Sequence, residues 1–320
     1  MSTLTQSEGL PPLGELILAQ TRMDRGCERR VDDGLLPGIW DAPTTVVMLM
    51  ANARTLVRDN KIVLLPSRDR PLPETAVYLG RAVPGAEVPV GTDIVLEILD
   101  GTAQAGLPDG CEGDWLGLRE VAVDISAQDA GLFVEAAAIA NWHAAHPRCP
   151  LCGTPTRMEQ GGWVRRCPED STQHFPRTDP AIIVSVLDDQ DRILLGHNKA
   201  WPAGRYSTLA GFVEPGESLE AAVVREVEEE SGVLVHSPQY LGSQPWPFPA
   251  SLMLGFTAMA AHTDLKPDGV EIADVRWFTR EELAESIASG EVAVAAGLSI
   301  ARALIEHWYG GPLPEPQAWQ

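Results

Sequence analysis

Glu226, Glu229 and Glu230 stand three and four residues apart within the run GFVEPGESLEAAVVREVEEESGV, residues 211–233. On a helix that spacing puts side chains on one face. Carboxylates gathered this closely repel one another, and a bound divalent cation relieves the repulsion. Hard cations such as Mg²⁺ and Mn²⁺ prefer carboxylate and phosphate oxygens. The bland alternative is a solvated, charged helix face. Against it stand the fixed offsets of Gly211, Glu217, Arg225, Glu226, Glu229, Glu230 and Gly232.

A second cluster is Cys149-x2-Cys152-x14-Cys167-x2-Asp170. Thiols at this spacing suit a structural zinc site, but a zinc ribbon normally closes on a fourth Cys. Asp170 occupies that place and would make a harder, weaker site. His174 or water are other candidates for the fourth position, and an insert held by packing alone is the remaining one. His143 and His146 read as helix-surface or packing residues. Cys27 and Cys111 read as ordinary free thiols. Five cysteines, three of them clustered, argue for a metal rather than a disulfide framework.

These groups need elements to hold them. The spacing predicts a helix over 218–231, with Ser218 as N-cap and Gly232 as its stop. Gly211 and Gly216 bracket a loop expected to need unusual backbone angles. That loop can offer the carbonyl of Ala210 to a metal, and Arg225 is placed to pair with Glu217. Apolar runs predict a hairpin over 181–187 and 192–195, and strands over 239–243, 252–262 and 274–279. Helices are expected over 280–289 and 298–309. Upstream, strands are expected at 45–50, 61–65, 76–80, 93–99 and 121–123, with a loop over 101–110 and a helix over 129–146. The fold class is α+β with an α/β C-terminal part. The expected segments are an N-terminal α+β domain over 1–125, a connecting helix over 126–147, a zinc-ribbon-like insert over 148–177, a catalytic domain over 178–310 and a flexible tail over 311–320.

Composition bounds the partners. Hydrophobic residues make up 44% of 320 residues, enough for real cores. Lys and Arg number 24 against 45 Asp and Glu, a net charge of -21. That balance argues against a general nucleic-acid binder and for meeting phosphates through metal ions. No secretory signal or spanning run is read, so a soluble cytoplasmic protein without membrane partners is expected.

Residues 211–233 fill every fixed position of the Nudix box and resemble the Nudix hydrolase family. The resemblance implies a Nudix α/β/α sandwich and metal-dependent hydrolysis of a nucleoside diphosphate linked to another group. It implies Glu226, Glu229, Glu230 and the backbone of Ala210 around Mg²⁺ or Mn²⁺, with Glu217 and Arg225 among the catalytic residues. The implied chemistry is attack of water on a phosphorus of the pyrophosphate.

The segment SQPWPFPAS, residues 243–251, alternates three prolines with two aromatics. Prolines stiffen a segment, so its rings are presented at low entropic cost; core packing of Trp246 and Phe248 is the alternative. The segment resembles the hallmark of the NADH pyrophosphatase subfamily. Trp142-His143-x2-His146 before the first Cys pair and Asp114–Arg119 resemble other parts of that subfamily. The resemblance implies cleavage of NAD(H) to NMN(H) and AMP, in some members removal of an NAD cap from RNA. It implies that Phe175 and Phe212 stack a base, and that Gln244, Pro245, Trp246, Pro247, Phe248, Pro249, Ala250 and Ser251 line the nicotinamide mononucleotide half. Glu271 corresponds to a further metal-binding glutamate, and Ala301 and Arg119 to substrate contacts. A homodimer is implied, in which Phe175 can serve the partner's site. A few nucleotides of RNA could meet Arg148, Arg157, Arg165, Arg166 and Arg177. The competing readings are a Nudix enzyme for ADP-ribose or another dinucleotide, and a catalytically silent dinucleotide sensor.

Overall fold

The computed structural model describes residues 12–20, 22–68, 70–100, 112–295 and 297–314. They fall into two compact units. The first holds Ile17–Thr178 together with Pro245–Ala250; the second holds the described parts of Met1–Leu16, Asp179–Gln244 and Ser251–Gln320. The N-terminal domain, connecting helix and insert therefore pack as one unit, joined by a short segment from the C-terminal half. The expected loop over 101–110 and Cys111 lie outside the described residues.

In the first unit, β1 (Met23–Asp24), α1 (Leu35–Trp40) and β2 (Thr45–Ala51) are followed by β3 (Arg54–Arg58), β4 (Lys61–Ile62), β5 (Leu64–Pro66), β6 (Ala76–Ala82), β7 (Asp93–Ile98) and β8 (Asp114–Gly117). The strands form one sheet in the order β1-β6-β7-β2-β3-β4, with β5 beside β2 and β8 beside β3. Residues 121–123 are not the expected strand. They finish the short helix α2 (Leu118–Val121) and the turn after it, where the Ile125 N–H donates to the Val121 carbonyl. A three-residue apolar run carries no period, so tertiary burial of Val121 and Ala122 decided its form.

Helix α3 (Ala127–Ala145) starts where the Ser126 hydroxyl accepts from the Asp129 N–H at 3.1 Å. It is buried on most sides, which is why its composition is apolar all round. The chain then forms the ribbon, a three-stranded sheet of β9 (Arg157–Glu159), β10 (Val164–Arg166) and β11 (Gln173–His174) in the order β11-β10-β9.

The second unit contains β12 (Asp179–Leu187), β13 (Ile193–Asn198), β14 (Leu209–Phe212), helix α4 (Leu219–Ser231), β15 (Val235–Trp246), β16 (Ser251–Ala260) and β17 (Ile272–Phe278), then α5 (Arg280–Ser289) and α6 (Ile300–Tyr309). Its sheet runs β15-β16-β12-β13-β17, with β14 also on β12. Strand β12 pairs parallel with β16 and antiparallel with β13 and β14. Alternate residues of a strand face opposite sides. Ile182, Val184 and Val186 accordingly pack with Ala222, Val223 and Val227 of α4, while Ile183 packs with Ile300, Ala301 and Leu304 of α6. The result is the α/β/α sandwich that the sequence implied. Each buried Val or Ile contributes roughly 1.5–3 kcal/mol, so α4 is fixed firmly enough to carry charge on its other face. Leu313 is buried against the α5–α6 cluster. The start of the expected tail is thus held, and residues 315–320 lie outside the described ones.

Candidate active site

The Ser218 hydroxyl caps α4 by accepting from the Ala221 N–H at 3.2 Å, and Gly232 ends it in the left-handed conformation at φ 74°. Arg225 then knits the loop to the helix. Its Nε and one terminal nitrogen donate to the two Glu217 carboxylate oxygens, each at 2.8 Å, and the same terminal nitrogen donates to the Phe212 carbonyl at 2.9 Å. Its other nitrogen donates to Glu226 at 2.8 Å and Glu229 at 3.0 Å. The Arg225 fork holds the Glu217 carboxyl well below the usual range, at about 2, helped by the Glu214 N–H.

The three box glutamates share a face but not an environment. Glu229 is exposed, Glu226 half-buried and Glu230 buried. Burial raises the Glu226 carboxyl against the pull of Arg225. Burial, with the fields of Glu226, Glu271 and Asp268, pushes Glu230 up to about 8. The Ala210 backbone opposes that rise only in small part, and Glu230 Oε2 has no hydrogen-bond partner. A buried carboxylate oxygen left unmatched among other carboxylates suits a hard divalent cation. Glu226, Glu230 and Glu271 are the residues that would hold it.

Glu271 is exposed just before β17, and its Oε1 accepts from the Asn198 side-chain amide at 3.4 Å. Sequence reasoning missed the residue that presents it. Asp268 Oδ1 accepts from the backbone N–H groups of Val270, Glu271 and Ile272 at 3.1, 3.2 and 2.8 Å. The signal was available, because Lys266-Pro267-Asp268-Gly269 is a turn sequence in which Asp bonds the backbone ahead of it.

In the ribbon, one ligand atom each from Cys149, Cys152, Cys167 and Asp170 lie within 4.8 Å of one another. Cys149 Sγ is 3.5 Å from Asp170 Oδ2, and Cys152 Sγ is 3.5 Å from Cys167 Sγ. A tetrahedron with Zn–S of about 2.3 Å and Zn–O of about 2.1 Å has edges of roughly 3.6–3.8 Å, so the set fits zinc. The Thr172 N–H and hydroxyl hold Asp170 Oδ1 at 2.9 and 2.6 Å and so aim Oδ2 at the thiols. His174 is outside this group of four. Of the two readings given for His143, packing is the one the structure shows, because the residue is buried. Its Nε2 lies 2.8 Å from the Gly162 carbonyl and its Nδ1 2.9 Å from Arg165, which fixes a neutral ring with Nε2 as donor. Burial pushes its pKa down to about 4.

The segment Pro245–Ala250 forms a turn that packs with the first unit. Trp246 and Phe248 meet edge to face with centroids 5.0 Å apart. The Arg119 guanidinium lies 4.1 Å from the Phe248 centroid and 5.4 Å from that of Trp246. Gln244, the last residue of its segment in the second unit, is buried and bonded at both ends of its amide. It accepts from the Ile300 N–H at 2.8 Å and donates to the Leu298 carbonyl at 2.9 Å. Ser251 is buried at the start of β16, and Ala301 is buried in the first turn of α6. Phe175 and Phe212 are 61% and 58% exposed, so neither ring is used up in a core. Of the arginines near the ribbon, Arg148, Arg165 and Arg166 are already bonded to Gly153, Thr156 and Glu159.

A NUDIX domain matches residues 176–296 and an NADH pyrophosphatase zinc ribbon domain matches residues 144–175. The chain belongs to the Nudix hydrolase family, in the branch that carries this ribbon. It is 37% identical over 304 residues to the NAD-capped RNA hydrolase NudC of Mycobacterium bovis (strain BCG / Pasteur 1173P2), covering 91% of this chain and 94% of that protein. It is 41% identical over 198 residues to the human NAD-capped RNA hydrolase NUDT12, covering 58% of this chain and 43% of that protein.

Proposed function

We propose that the protein hydrolyses the pyrophosphate bond of NAD(H) to NMN(H) and AMP, and that it removes NAD caps from RNA. The observation that carries the chemistry is the buried Glu230 oxygen without a partner, set among Glu226, Glu271 and Asp268. Bound Mg²⁺ or Mn²⁺ would supply Lewis acidity toward water and the pyrophosphate oxygens. Arg225 keeps the loop closed on the helix, and Glu226 and Glu230 bring negative charge where the cation must sit. The Trp246–Phe248 turn, with Phe175 and Phe212, is the recognition part of this reading. The relatives' names support the substrate.

Net charge of -21 and the engagement of three ribbon arginines favour a small footprint on RNA, limited to the cap and few nucleotides. The reading further includes structural zinc in the ribbon and a cytoplasmic homodimer. Among the described residues no helix is long and apolar enough to cross a membrane.

The test is a chromatographic product assay on NADH and NAD-capped RNA, with and without Mn²⁺, for wild type and Glu230→Gln. Metal-dependent NMNH and AMP, lost in the variant, are expected. Tight NADH binding without product would make the protein a sensor, and cleavage of ADP-ribose alone would move the substrate.

A further inference from the structure

We propose that Asn141 is a positioning residue for substrate selectivity, clamping the turn that carries Trp246 and Phe248. The inference rests on reading that turn as the element that recognises the nicotinamide half.

The argument begins with hydrogen-bond supply. Three of the residues in Pro245–Ala250 are prolines, which have no N–H to donate. Inside the turn the Phe248 N–H donates to the Trp246 carbonyl at 2.7 Å. The carbonyls of Pro247, which is buried, and of Pro249, which is exposed, receive no donor from within the turn. Asn141 supplies both. Its Nδ2 lies 3.0 Å from the Pro247 oxygen and 3.1 Å from the Pro249 oxygen. One amide nitrogen carries two hydrogens, so a single side chain satisfies both carbonyls.

The clamp is rigid at its base. Asn141 sits on α3 between Ala140 and Trp142, both buried. From the same unit Arg119 lies over Phe248 and Trp246. The turn is therefore fixed on its carbonyl side by Asn141 and on its ring side by Arg119. A recognition element whose rings are pre-set binds without the cost of ordering them. Selectivity would thus depend on a residue of the first unit that has no acid, base or metal role. The unit holding the ribbon would act as the mount for the selectivity turn.

Asn141→Asp keeps the shape, removes both donors and sets a carboxylate against two carbonyls. Steady-state kinetics on NADH should show KM raised about tenfold or more with kcat within about threefold. On ADP-ribose, which lacks the nicotinamide, kcat/KM should stay within about threefold. Asn141→Gln, which retains the donors, should recover part of the NADH KM. Tm and zinc content should match wild type. Hydrogen exchange of the peptide containing Trp246, Phe248 and Ala250, read without substrate, should be faster in Asn141→Asp. If that variant misfolds, Asn141→Ala takes its place with the same expectations.

An unchanged NADH KM, or equal losses on both substrates, would overturn the selectivity role. Unchanged exchange would overturn the clamp. If wild type itself does not turn over NADH, the proposed function falls and takes the selectivity role with it, while the exchange measurement still decides the clamp.

Discussion

A Cβ built on Gly211 would lie 2.0 Å from the carboxyl carbon of Glu226. Gly211 is not among the positive-φ glycines, whereas Gly216 is, at φ 89°. The unusual backbone angle expected of the loop that these two glycines bracket is taken up at Gly216. Gly211 is needed for space, so that the Glu226 carboxylate can lie against the strand. The atom displaced by Gly211→Ala is the end of a flexible side chain, so the fold should survive. The expected outcome is a small change in Tm with activity down about a hundredfold, roughly 3 kcal/mol in the barrier. Calorimetric titration with Mn²⁺ should show weakened binding in parallel.

Arg225 contacts Glu217, Glu226, Glu229 and the Phe212 carbonyl at once. Lysine offers one ammonium in place of a planar fork and cannot reproduce that geometry. Arg225→Lys should lower kcat by about ten- to a hundredfold and lower Tm, measured on one preparation by steady-state assay and thermal melt. Wild-type kinetics in the variant would mean that the fork does not set the site.

Glu230 is costly to the metal-free fold, because its carboxyl is buried beside other acids with one oxygen unmatched. Glu230→Gln removes that cost together with the negative ligand. After chelation the variant should melt at or above the wild-type temperature. Added Mn²⁺ should raise Tm in wild type and not in the variant. Its turnover should fall at least about a thousandfold, roughly 4 kcal/mol.

Asp170 stands where a ribbon normally has a thiolate, and Thr172 anchors it. Zinc analysis of the purified protein should find about one equivalent per chain. Asp170→Cys should slow zinc loss to a chelator, and Asp170→Ala should speed it and lower Tm. Equal loss rates in all three proteins would remove Asp170 from the ligand set.

Glu135, on α3, is buried with Arg25 at 3.4 Å from one oxygen and no partner on the other. Burial, opposed by Arg25 and Arg30, raises its pKa from 4.5 to about 7. A raised acid favours the folded state most when protonated. The stability present below pH 4.5 is therefore lost as pH rises toward 7, and the loss stays constant above that. Glu135→Gln should gain on wild type across that window, by ~1–3 kcal/mol at pH 8. Chemical denaturation at pH 4.5, 6, 7 and 8 reads the difference directly, and a pH-independent difference would sink the assignment.

Much of the chemistry was legible because it is local. Ser218, Gly232, Arg225 and the three glutamates lie within one helix and its loop, where fixed geometry turns spacing into position. The main strands of the second unit and α6 were readable from apolar runs and helical period, whereas the short run 121–123 was not a strand. The Cys149-x2-Cys152 pair and Cys167 were legible on spacing alone as a cluster that the structure brings together. What the chain could not show were relations between distant segments. That Asp170 rather than His174 joins the thiols depends on how two ribbon turns meet. That Gln244 ties β15 to the start of α6 depends on a separation of more than fifty residues. The same holds for Asn141, more than a hundred residues from the carbonyls it satisfies. The unequal burial of Glu226, Glu229 and Glu230 is likewise tertiary. Helical spacing set their common face, but packing of α4 against the sheet decided which of them lost water and therefore which of them most needs a cation.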